Sequence, residues 1–218
     1  MPHVLSVNIG ARADFEPAVI GHTGHDKRPV PGAVQVSAPV GPGSGLAGDH
    51  ISDGRSHGGP DQAVYAYARE DLDAWSAELG RDLVPGLFGE NLTTVGLDAT
   101  NAVVGSRWRV GGALLLQVTD PRIPCRTFAS VMDDRSWVRT FTERALCGAY
   151  FRVLEPGAVA AGDGIELVDL PDHDVTVRLV FRALTLEPDL LPRLLDAGPH
   201  LTGKTQEKVR RRLATTSA

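Results

Sequence analysis

The chain has 218 residues, 42 % hydrophobic and 22 % charged, which places it among ordinary folded proteins and excludes global disorder. Its 22 Lys and Arg against 27 Asp and Glu leave a net charge of -5, the wrong sign for a dedicated nucleic-acid binder. Two cysteines are too few for a disulfide scaffold or a four-thiolate iron–sulfur cluster, and no apolar run is long enough to span a bilayer. The first residues carry no basic, apolar leader, so the expectation is a cytoplasmic protein with both thiols reduced.

Val4 to Ile9 reads as a first strand, Gly10 to Gly32 as irregular chain with a polar cluster from His22 to Pro29, and Ala33 to Ser37 as a short strand. Gly41 to Asp49 is a loop. Its Gly43-Ser44-Gly45-Leu46-Ala47-Gly48 matches G-x-G-x-x-G, but no helical period follows, so it is not a dinucleotide site. Ala63 to Tyr67 reads as a strand running into a helix over Arg69–Leu79, where Leu72, Trp75 and Leu79 recur at helical spacing and Gly80 stops the run. Strands are expected at Asn91–Thr94, Ala102–Val104, Arg107–Val110 and Ala113–Thr119, then helical chain over Arg126–Ala145. Two more strands, Ala149–Leu154 and Gly164–Val168, are expected on either side of a turn at Glu155-Pro156-Gly157. Three helical stretches, Val175–Leu184, Asp189–Ala197 and Thr205–Leu213, end the chain. This pattern predicts a mainly β fold with some α, a closed or half-closed barrel with peripheral helices over residues 1–170, and a small C-terminal helical appendage over 174–218.

Among the polar residues, the seven histidines show none of the strong zinc spacings and read as turn-stabilising or substrate-contacting side chains rather than ligands. His57-Gly58-Gly59-Pro60-Asp61-Gln62-Ala63 has the composition of a sharp turn that can aim N–H groups at an oxyanion; by itself it reads as a plain tight turn. Cys125 is the sharpest residue. Two prolines stiffen Pro121-Arg122-Ile123-Pro124-Cys125, and Arg122 and Arg126 flank the thiol, so that cations favour a thiolate. A thiolate there is either a nucleophile or a soft-metal ligand. Cys147, among apolar neighbours, fits a buried structural cysteine.

Gly48-Asp49, His57 to Tyr65, Phe88-Gly89-Glu90-Asn91-Leu92-Thr93-Thr94, Pro121 to Cys125, Tyr150-Phe151-Arg152-Val153 and Gly162-Asp163, in this order, resemble a MOSC domain, and within it the stand-alone YiiM-like group. The match runs from about Val4 to Val168. The resemblance implies a mostly antiparallel β-barrel that binds the molybdenum cofactor (molybdopterin) with Cys125 as the metal ligand; at family level it also carries pyridoxal-phosphate binding. It implies reduction of N-hydroxylated compounds, such as hydroxylaminopurine-type base analogues, to amines, with Cys125, Arg122 and Lys27 acting together. His57, Gly58, Gly59, Asp61, Glu90 and Asn91, with Arg122 and Cys125, would hold the cofactor. No flavin, nicotinamide or iron–sulfur motif is present, so electrons are expected from a separate reductase. No nucleic-acid or membrane partner is expected, and a homodimer is possible. Two positions depart from the pattern: Ser106 stands where Asp often follows the Gly, and Asp120 where Gln or Glu is common before Pro-Arg; the tail is also shorter. The rival readings are a cofactor carrier without turnover and a cysteine-based sulfur-transfer enzyme.

Overall fold

The computed structural model describes residues 1–18, 20–54 and 57–216, excluding the Thr216 side chain; Ser217 and Ala218, the end of the expected appendage, lie outside it. In chain order the strands are β1 (His3–Gly10), β2 (Ala13–Asp14), β3 (His22–Thr23), β4 (Lys27–Pro29), β5 (Val34–Val36), β6 (Val64–Ala68), β7 (Leu92–Val95), β8 (Arg107–Val110), β9 (Leu114–Val118), β10 (Ala149–Glu155), β11 (Gly157–Val159) and β12 (Ile165–Asp169). The helices are α1 (Arg69–Leu79), α2 (Arg126–Met132), α3 (Trp137–Arg144), α4 (Val177–Thr185) and α5 (Gly203–Thr216), with 3-10 turns at Pro60–Gln62 and Pro188–His200.

Eight strands form one sheet in the order β12-β8-β9-β10-β6-β7-β1-β4, and β5 with β11 and β2 with β3 make two small ribbons. Every pairing in the large sheet is antiparallel except β6 with β7, whose parallel register follows from the intervening crossover through α1. The sheet curls until His3 at the start of β1 bridges Gly164 just ahead of β12, half closing a barrel. This is the half-closed barrel with peripheral helices that the strand pattern implies, and its mostly antiparallel pairing is what the family resemblance implies.

α1 carries Glu70 and Asp71 in its first turn, where the helix dipole favours acids, and buries Leu72 and Trp75. Gly80 ends it in the left-handed conformation, its N–H returning to the Ser76 carbonyl. Trp75 opens an aromatic cluster. Its ring lies 4.9 Å from that of Trp137 and 6.3 Å from that of Phe88, and Phe88 meets Phe128 at 5.0 Å. The cluster ties α1, α2, α3 and the loop before β7 into one layer against the sheet.

Several local expectations are corrected. The run 126–145 is two helices, because Asp133 turns left-handed and the Asp134 carboxylate takes the Ser136 amide; short acidic side chains compete with the helix ladder in this way. Residues 102–104 form no strand, only a single bridge from Val103 to Thr176. Gly10–Gly32 is not wholly irregular: Lys27 lies on β4, in register with Gly10 of β1. The turn at 155–157 leads into β11, which pairs with β5. Residues 188–200 are 3-10 rather than α, since Pro192 and Pro199 remove ladder donors and Gly198 leaves helical geometry. One apolar cluster runs from the barrel across residue 170 into Val177, Phe181, Leu194 and Val209. No helix among the described residues is long and apolar enough to cross a membrane.

Candidate active site

Segments around residues 22–27, 50–54, 57–65, 89–91 and 122–127, together with Tyr150, line a cavity of about 1000 Å³. Cys125 sits there half-buried, in extended conformation as the residue that begins α2. Burial alone would push its thiol up. The hydrogen bond with His57, the Arg122 charge and the Phe128 amide of the first helical turn outweigh it, and the pKa falls to about 6. The thiol is therefore mostly thiolate at neutral pH. Cys147 is fully buried, its pKa pushed up by desolvation, as expected of a structural cysteine.

Arg122 is 4 % exposed, with its guanidinium 4.4 Å from the Phe128 ring centre and 5.4 Å from that of Tyr65. It makes no ion pair among the described residues, and its Nε has no hydrogen-bond partner. Its Nη2 lies 3.4 Å from His25 Nδ1, while His25 Nε2 lies 3.2 Å from the Leu87 carbonyl. A carbonyl can only accept, so Nε2 carries the proton and Nδ1 faces the guanidinium as acceptor. Burial and then the charges of Arg122 and Lys27 hold the His25 pKa well below its ordinary value, so the ring is neutral. Gly89 makes this arrangement possible. With φ at +76°, a Cβ there would lie 3.0 Å from the His25 ring and 3.3 Å from Arg122 Nη1.

Lys27 reaches the same cavity from β4 and pairs with Asp49; the two side chains are 5 % and 0 % exposed. The Gly10 amide donates at 2.8 Å to the same Asp49 oxygen that pairs with Lys27, and Asn91 Nδ2 donates at 2.9 Å to the other oxygen. Burial lowers the Lys27 pKa while Asp49 holds it up. The rings of Tyr65 and Tyr150 pack tilted by 37° with centroids 4.9 Å apart, both buried, and complete the wall beside Arg122.

The cavity thus brings together Cys125, Arg122, Lys27, His57, Gly58 and Asn91. Three further expected residues lie off it. Glu90 is fully buried and spends its carboxylate on the Gly86 and Phe88 amides and the Thr93 hydroxyl, so it braces the loop that carries Gly89. The Gly59 N–H donates to the Gly43 carbonyl and is not available to an oxyanion. Asp61 pairs with Arg152 at 2.8 Å beside a smaller adjoining cleft. Asn91 lines the cavity, yet both ends of its amide are engaged, by Asp49 and by the Tyr65 amide. Sequence reasoning missed His25, Asp49, Tyr65 and Tyr150 as site residues. His25 sits in the polar cluster of residues 22–29 and Tyr65 on the expected strand 63–67, but only the tertiary fold brings His25, Tyr65 and Tyr150 to the wall of the cavity and sets Asp49 against Lys27.

No group of three or more His, Cys, Asp or Glu that could hold a metal ion occurs among the described residues. A bare ion has no cage here. A metal centre that brings its own organic ligands asks for one soft protein donor, and the Cys125 thiolate has the chemistry such a donor needs. A buried cation with an unpaired Nε suits an anionic group beside it.

A family model for the MOSC domain matches residues 53–166. The protein YiiM of Escherichia coli is 34 % identical over 176 residues, 78 % of each chain. A protein named reductase from Gibberella moniliformis is 36 % identical over 157 residues, which is 68 % of this chain and 27 % of that longer one. The crystal structure of YiiM from Geobacillus stearothermophilus superposes with a TM-score of 0.78 at 25 % identity, covering 98 % of this chain and 100 % of that one.

Proposed function

From a chain that belongs to the MOSC domain family and shares its whole fold with YiiM, we infer a reductase of N-hydroxylated compounds, hydroxylaminopurine-type base analogues among them, working with the molybdenum cofactor. The observation that carries the reading is the Cys125 thiolate beside a buried Arg122 with no carboxylate partner, in a cavity large enough for a cofactor and a heterocycle. Cys125 would ligate the molybdenum, and Arg122, Asn91, His57 and Gly58 line the space a pterin would fill. The cofactor, when bound, supplies two-electron oxygen-atom chemistry.

The reaction consumes two electrons and two protons: the N–O bond breaks, nitrogen is reduced to the amine, and the oxygen leaves as water. Arg122 stabilises negative charge growing on the departing oxygen, in a site where a buried guanidinium acts more strongly than in water. Lys27 Nζ, an ammonium held against Asp49, donates a proton to that oxygen. Neutral His25 fixes the Arg122 fork and adds no second cation. Tyr65 and Tyr150 wall off water. The electrons come from a separate reductase; that a longer fungal relative is named reductase agrees with reductive chemistry.

The test is reduction of an N-hydroxylated purine by protein made in a host that synthesises the cofactor, with molybdenum content measured alongside. Wild type is expected to turn over and to hold about one molybdenum per chain; Cys125→Ala is expected to lose both. Full turnover by the variant refutes the proposal. The hydrogen bond between His57 and Cys125 favours a second reading, a cysteine-based sulfur-transfer enzyme, which would work without molybdenum. Molybdenum without any turnover would indicate a carrier.

A further inference from the structure

α5 packs inward through Thr205 and Val209. One flank of its outer surface carries Lys204, the half-buried Lys208 and Arg211 at helical spacing, next to Glu207, the one acid in the helix, with Arg210 on the far side of it. Lys204, Lys208 and Arg211 have no ion-pair partner among the described residues, in a chain whose net charge is -5. Like charges three and four residues apart destabilise a helix. Partial burial, then Arg212, Lys204 and Arg211, push the Lys208 pKa down.

The face begins at the rim of the site. Thr202 and Thr205, at the start of α5, each donate a 2.8 Å hydrogen bond to one oxygen of Asp120, which lies in the same short segment as Arg122 and Cys125. Lys204 lines a cleft of about 230 Å³ with Asp120 and Thr202, and three of its other lining residues, His57, Gly58 and Gln62, also line the main cavity.

We propose that this face of α5 is the docking surface for an acidic electron-donating protein. The inference rests on the reductive reading above, which requires electrons that no group of this chain can supply. Three cations spread over about 10 Å of helix exceed one phosphate and match a row of carboxylates on a partner's rim. The acidic remainder of the chain repels a nucleic-acid backbone that would run past the helix. A small, charged contact also suits electron transfer, where complexes are weak and form fast through electrostatic attraction.

The test compares wild type with the triple variant Lys204→Glu, Lys208→Glu, Arg211→Glu. Circular dichroism and melting check that the three changes, two of them exposed and one at the half-buried Lys208, leave the fold intact; if the triple variant is destabilised, the double variant Lys204→Glu, Arg211→Glu is used in its place. Binding is measured by calorimetry against a flavodoxin, an acidic electron carrier, at low and high salt, and again against duplex DNA. Turnover of an N-hydroxylated purine is driven once by reduced flavodoxin and once by reduced methyl viologen. Flavodoxin binding and flavodoxin-driven rate are expected to fall by about tenfold or more in the variant, and in wild type at high salt. The viologen-driven rate is expected to stay unchanged. Equal flavodoxin binding by both proteins, no salt-sensitive binding by wild type, or tighter binding of DNA than of flavodoxin overturns the proposal. Absence of viologen-driven turnover in wild type instead defeats the reductive reading, and the binding measurement still decides the surface.

Discussion

At the scale of single residues, the chemistry is set by which charges Cys125 can see. Of the two arginines that flank it in sequence, Arg122 is the one that acts on the sulfur, together with His57. The pKa is lowered from an ordinary 9.0 to about 6, so the reactive fraction rises as pH increases through 6 and is nearly complete by neutrality. Alkylation by iodoacetamide should therefore show a single reactive thiol with a midpoint near pH 6, while Cys147 stays silent until the protein unfolds. His57→Ala removes the hydrogen bond and should move that midpoint upward by about one unit or more. A midpoint unmoved in His57→Ala would mean that the imidazole does not hold the thiolate.

At the scale of elements, short loops and helix starts carry the strain of building the site. The Gly86–Glu90 loop is held from within by Glu90, so that Gly89 can pass under His25 and Arg122. α1 does a different job and pays a different cost: Asp71, in its first turn, accepts from Thr100 Oγ1 at 2.9 Å, yet burial and the nearby Asp98 and Glu70 charges raise its pKa from 3.8 to about 6. Its folded pKa lies above the unfolded value, so its contribution to stability is complete below pH 3.8 and is lost as pH rises through 6. Asp71→Asn keeps an acceptor for Thr100 without the charge. The variant should gain about 2 kcal/mol on wild type between pH 4 and pH 7 in urea unfolding, with no difference at the acid end. A constant offset across that range would contradict the assignment.

At the scale of the whole molecule, two packing systems hold the cavity open and shaped. One is the aromatic cluster from Trp75 through Phe88 and Phe128, whose last ring lies under both Arg122 and His25. The other is the seat of the C-terminal helices, where Asp120 gathers Thr202 and Thr205 onto the segment that leads to Cys125. Asp120→Ala leaves two buried hydroxyls without their acceptor and should cost about 1–3 kcal/mol. Hydrogen exchange should localise the effect, with faster exchange in α5 and little change in β10; uniform loss of protection would show that the tie is not local.

Much of this was legible in the sequence. Alternation and turn residues located most strands, the helical spacing of Leu72, Trp75 and Leu79 gave α1 its boundaries, and the stiff Pro-Arg-x-Pro-Cys segment singled out Cys125. These are properties of neighbouring residues, and local rules read them well. Sequence alone therefore determined a barrel of short strands and one thiol set apart from ordinary burial. Tertiary structure decided the rest. It placed Lys27 on an edge strand, turned Glu90 inward as a brace, spent the Gly59 amide on Gly43, and joined His25, Asp49, Tyr65 and Tyr150 to the site. Those outcomes depend on contacts between residues far apart along the chain, and a pKa or an unpaired buried cation exists only once such contacts have removed water from around it.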